Sequence, residues 1–100
     1  MAKPLFEIKK NKEGVQLLVQ GDLKVQHAND FKDFLLESMN RASNEKLMLG
    51  QVTGIDVTGV QLTYLWKKSL RKQGREATIE LPENESLKEL LEKTGITNTL

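Results

Sequence analysis

Leu47-Met48-Leu49-Gly50-Gln51-Val52-Thr53-Gly54-Ile55-Asp56-Val57-Thr58-Gly59-Val60 is the stretch whose reading decides the fold. Its first part, 47–52, is a short apolar run bracketed by Lys46 and the glycines Gly50 and Gly54, and it reads as a buried strand. From Val60 the period becomes helical, with Leu62, Leu65, Trp66, Ser69 and Leu70 on one side until Gly74 closes the helix as a C′ residue. A strand that passes into a helix through Ile55-Asp56-Val57-Thr58-Gly59 belongs to an open α/β sheet. There the carboxyl end of the strand meets a helix N-terminus with free N–H groups and a partial positive charge.

Upstream of this stretch, Ala28, Phe31, Phe34, Leu35, Ser38, Met39 and Ala42 recur at three and four residues, the pattern of a helix with one buried face. Asp30, Lys32, Asp33, Glu37 and Arg41 fall on its solvated side. Before it, Leu5, Phe6 and Ile8, a polar turn over 9–14, and Val15, Leu17, Leu18 and Val19 predict two antiparallel strands. Downstream, 77–81 reads as a short strand ended by Pro82. Asn84 is the expected N-cap of a last helix with Leu87, Leu90, Leu91 and Thr94 inward, and Gly95-Ile96 resembles a Schellman stop. The expected fold is α/β, in the order β-β-α-β-α-β-α, with a mixed four-stranded sheet whose initial hairpin is its antiparallel edge. Residues 1–100 are read as a single domain.

Composition limits the chemistry. The chain has 100 residues, 15 Lys and Arg against 14 Asp and Glu, a formal charge of +1, no cysteine and one histidine. Thiolate catalysis, iron–sulfur clusters and cysteine-type zinc sites are excluded, and His27 alone, without a second ligand at suitable spacing, reads as a loop residue. No base, nucleophile and oxyanion arrangement can be assembled, so the expectation is a protein without enzymatic activity, cofactor or resident metal. Asp22 and Asp30 could approach Asp56 at one end of the sheet, a carboxylate set able to take Mg²⁺ transiently. The near-neutral charge averages a basic stretch, Lys67, Lys68, Arg71, Lys72 and Arg75, read as the outward side of the second helix, and an acidic one, Glu76, Glu80, Glu83, Glu85, Glu89 and Glu92. Stacking aromatics do not accompany the basic residues, so no nucleic-acid partner is expected, and Trp66 is assigned to packing. No apolar run reaches the roughly 18 residues of a membrane span. The N-terminal segment lacks the apolar centre of a secretion signal, and a cytoplasmic location is expected.

Taken alone, Ile55-Asp56-Val57-Thr58-Gly59-Val60 describes a helix start in which Thr58 or Asp56 caps and Gly59 permits a tight turn, the more frequent role for such residues. Four motifs in order add a resemblance: Gly21-Asp22-Leu23; Leu-x-Leu-x-x-Val-x-x-Ile-Asp-x-Thr-Gly-Val over 47–60; Lys72-Gln73-Gly74; and Leu-x-x-Leu-Leu-x-x-Thr-Gly-Ile over 87–96. Together they resemble the STAS domain of sulfate transporters and anti-sigma factor antagonists. The resemblance implies a regulatory interaction module that binds, and is phosphorylated by, a Ser/Thr kinase or anti-sigma factor with a histidine-kinase-like ATPase fold. By position the phosphorylated residue is Thr58, and the implied partner surface comprises Asp22, Lys24, Asp56, Val57, Thr58, Gly59, Val60 and Gln61. Lys24 stands where the family often has an acidic residue, and Val57 where a small residue is usual. Short STAS proteins also serve as subunits of phospholipid-transport ABC systems or accompany chemotaxis proteins, which is the alternative role.

Overall fold

Alternation decides which face of each strand is covered. In a computed structural model describing residues 4–40 and 43–93, β1 (Leu5–Asn11) and β2 (Gly14–Leu23) form the hairpin, and β3 (Glu45–Ile55) and β4 (Ala77–Glu80) add parallel strands in the order β1-β2-β3-β4. Val15, Leu17 and Val19 of β2 and Leu47 and Leu49 of β3 are all buried on one face, Leu17 opposite Leu47 in the register. Each Leu removed fully from water contributes about 1.5–3 kcal/mol. The hairpin is tighter than the polar turn over 9–14 predicts. Lys9, Lys10 and Asn11 remain in the ladder, and the Asn11 side-chain oxygen accepts from the N–H groups of Glu13 and Gly14. That local bond closes the turn over Lys12 and Glu13 and lets pairing continue to its edge.

A 3₁₀ turn (Val25–His27) leads into α1 (Ala28–Met39), α2 (Val57–Lys72) connects β3 to β4, and α3 (Glu85–Lys93) follows β4. The observed order is β-β-α-β-α-β-α, as expected. Both crossover helices occupy the same face, because one oxygen of Glu45 accepts from Ser38 of α1 (3.0 Å) and from Trp66 of α2 (2.7 Å). Two parallel right-handed crossovers in the same direction produce this one-sided arrangement. The opposite face presents Glu7, Leu18, Met48 and Glu80 across one row, all exposed or half-buried.

α2 ends in a full Schellman motif: Gly74 has φ +75°, its N–H donates to Arg71 O, and the Arg75 N–H donates to Leu70 O. Asn84 caps α3 through a 3.2 Å bond from the Leu87 N–H, and Leu91 is fully buried, while Leu90 is 36% exposed. Thr94, Gly95 and Ile96, assigned to the end of this helix, lie outside the described residues, as do Arg41 and Ala42. The rotation of α2 corrects two expectations. Its buried stripe is Gly59, Val60, Thr63, Trp66, Lys67 and Leu70, so Leu65 is 55% exposed and Lys67, read as outward, is only 9% exposed. The Trp66 indole, pinned to Glu45, sets the helix phase one position away from the Leu65 side.

Arg75 is corrected as well. Its side chain turns inward, where Nη2 meets Glu45 Oε2 at 2.9 Å, Nε donates to Ser43 O and Nη1 to Met39 O. Glu45 thus ties the end of α1, the start of β3, the middle of α2 and the loop after α2 into one buried network. Among the described residues no helix is long and apolar enough to cross a membrane.

Candidate functional site

The carboxyl ends of β2 and β3 converge on the first turn of α2. Asp22 lies opposite Gly54 and Leu23 opposite Ile55 in the ladder, which then delivers Asp56 to the N-cap. Asp56 has extended backbone angles, and its carboxylate accepts from the Gly59 N–H at 3.2 Å. Of the two residues able to cap, Asp56 therefore does so. Thr58 is the second residue of α2, half-buried, and its hydroxyl makes no hydrogen bond among the described residues. It projects beside a helix start whose first N–H groups have no intrahelical acceptor.

Gly59 makes this close approach possible. A Cβ there would stand 2.6 Å from Ile55 Cγ1 and 3.0 Å from the Leu23 carbonyl oxygen. The first turn of α2 therefore rests directly on the end of β2, with Asp22 and Lys24 on either side of that carbonyl in sequence. Asp22 is engaged locally, its Oδ1 accepting from the Lys24 N–H at 3.1 Å, and it sits with the Lys24 side chain over Gly54.

The structure sorts the sequence-assigned surface into two groups. Val57, 69% exposed, Gln61 and the half-buried Thr58 face outward, whereas Gly59 and Val60 turn into the core and hold the outward residues in place. Leu65 extends the outward ridge by one turn, followed by Lys68 and Lys72. The three aspartates, which could have met at this end of the sheet, do not assemble: among the described residues no group of three or more His, Asp or Glu side chains could hold a metal ion. Asp22 and Asp56 are occupied with backbone N–H groups, and Asp30 lines a separate groove with Asp33 and Glu37. His27 is the N-cap residue of α1 without a side-chain capping bond.

Sequence reading missed the Glu45 network. One signal was present, since Glu45 shares strand parity with Leu47 and Leu49 and must face the core with them. It gave no hint of Arg75 as partner, 30 residues away.

A STAS family profile, described as "Mlab, STAS domain", matches residues 6–100. The chain belongs to this STAS-domain family. Among solved structures, a Thermotoga maritima protein described as an anti-sigma factor antagonist superposes with a TM-score of 0.78 and 23% identity, covering 95% of this chain and 82% of that one. The anti-sigma factor antagonist SpoIIAA in its unphosphorylated form gives 0.68 at 12% identity, with 88% and 82% covered. Mglu gives 0.67 at 25% identity over 78% of this chain, but the STAS chain spans only 20% of Mglu. These superpositions extend the STAS fold over the elements described above. No curated protein matches the chain in sequence.

Proposed function

We propose that this STAS domain is a regulatory protein–protein interaction module, switched by phosphorylation of Thr58 by a partner Ser/Thr kinase with a histidine-kinase-like ATPase fold. The observation that carries the reading is the unbonded Thr58 hydroxyl on the first turn of α2, next to the exposed Val57 and with capping already performed by Asp56. In the transfer, Thr58 Oγ attacks the γ-phosphorus of ATP, ADP leaves, and the hydroxyl proton passes to a base of the kinase. The product adds about −1.5 to −2 charges to a surface that otherwise docks through Val57, Gln61 and Leu65. Desolvating that dianion in a fitted apolar interface is unfavourable, and Asp56 beside it adds like charge, so the complex dissociates. The domain supplies no catalytic group of its own and works in the cytoplasm, with residues 1–100 forming one module.

Incubation with the cognate kinase and ATP is expected to add one phosphate, located at Thr58 by mass spectrometry and lost in Thr58→Ala. Labelling that persists in Thr58→Ala overturns the assignment. The second reading is a permanently docked subunit of an ABC-type phospholipid transport or chemotaxis-associated complex. The exposed apolar Val57 at the ridge favours it. A complex whose affinity is the same for wild type and Thr58→Glu decides for the subunit.

A further inference from the structure

A second surface lies along the β1 edge of the sheet. Among the described residues β1 is an edge strand that pairs with β2 alone, which leaves its outer backbone groups for another strand. Between β1 and α1 runs a groove of about 590 Å³ lined by Pro4, Phe6, Ile8 and Phe34, with Asp30, Asp33 and Glu37 along its helical rim. The floor is well defined: the Phe6 ring stands 5.0 Å from that of Phe34 and 6.2 Å from that of Phe31. The three carboxylates follow one another at helical spacing, and none forms an ion pair among the described residues. Neither Lys10, next after Ile8 on the same side of β1, nor Lys32 of α1 neutralises them. Like charges at this spacing repel one another, and a cationic partner would relieve that repulsion.

We propose that this groove binds an extended, basic segment of a partner protein, which adds as a strand to the free edge of β1. Alternate residues of an added strand point to the helical side, so the segment presents apolar or Lys/Arg side chains there and polar ones on the other face. Its apolar residues cover Phe6, Ile8 and Phe34, and the aliphatic stems of its Lys or Arg lie across the same floor while their charges reach Asp30, Asp33 and Glu37. A single face of period two combined with positive charge is a specific requirement: an acidic strand is repelled by the rim, and a helix cannot use the strand's backbone groups.

The probe is the synthetic peptide Thr-Val-Thr-Lys-Thr-Val-Thr-Lys, titrated into isotope-labelled protein and followed by amide chemical shifts. The expected result is perturbation confined to β1 and α1, centred on Phe6, Ile8, Asp33 and Phe34, with affinity that weakens as salt is raised. Asp33→Lys, an exposed change whose fold is verified by circular dichroism, is expected to weaken binding about tenfold or more. Equal binding of the peptide with Glu in place of Lys, an unaffected Asp33→Lys variant, or shifts confined to α2 overturns the proposal. Tighter binding of a helical peptide of the same composition overturns the strand mode. A concentration-dependent dimer in sedimentation that Asp33→Lys abolishes assigns the groove to a second copy instead. None of these outcomes bears on Thr58, since Thr58→Ala leaves the groove unchanged.

Discussion

Asp56 and Thr58 are two residues apart and each could cap a helix, yet they do different things. Asp56→Ala removes the bond to the Gly59 N–H and is expected to cost about 0.5–2 kcal/mol, seen as a lower urea midpoint without a change in slope. Thr58→Ala is expected to leave that midpoint nearly unchanged, because its hydroxyl makes no hydrogen bond among the described residues. Gly59→Ala tests the close approach: Ala favours helix by up to about 1 kcal/mol. Its Cβ would nevertheless meet Ile55 and the Leu23 carbonyl, so a net loss of stability is expected. Lys67 gives a pH signature. Burial, and then the charge of Arg71, hold its ammonium below the ordinary value of 10.5. The unfolded chain therefore binds more protons than the folded one between the lowered pKa and 10.5, and this residue's contribution to stability rises with pH across that window. Chemical denaturation from neutral to alkaline pH should show that rise in wild type and a flatter profile in Lys67→Met. The sequence made Thr58 and Asp56 candidates through spacing, but which one caps depends on the backbone angles at the helix start, which spacing does not specify.

At the scale of elements, Glu45 decides how α1 and α2 sit on the sheet. Its side chain is 0% exposed and accepts from Ser38, Trp66 and Arg75. Arg75→Ala leaves this carboxylate without its cation and is expected to cost about 3–5 kcal/mol, whereas replacing Glu45 and Arg75 together by apolar residues should cost less than the sum of the single changes. Trp66 is the chain's one tryptophan, so its fluorescence reports the local change directly. Helix periodicity located α2 and its Gly74 stop, but it could not choose between neighbouring phases when Leu62, Leu65, Trp66 and Ser69 all appear on adjacent positions. The indole–carboxylate bond makes that choice, turning Leu65 outward and Lys67 inward.

Across the whole molecule, the two exposed surfaces lie on different sides of the helical layer, with α1 against β1 and β2 and α2 against β3 and β4. One carries an exposed apolar ridge and a free hydroxyl, the other an acidic groove beside an open strand edge. A phosphomimetic Thr58→Glu change is expected to weaken the α2 partner while leaving the groove peptide's affinity within error, measured by titration of both on the same protein.

The sequence by itself determined the order of elements, the mixed sheet with its antiparallel edge, a helix that begins within 56–60 and the glycine that ends it. These follow from periodicity and from turn and cap chemistry, which act over a few residues. Tertiary structure alone decided the phase of α2, the burial of Lys67, the Glu45–Arg75 clamp and the groove between β1 and α1. Each of those depends on which side chains meet across 20 or more positions of sequence, such as Trp66 and Glu45 at a separation of 21, and no local pattern carries that pairing.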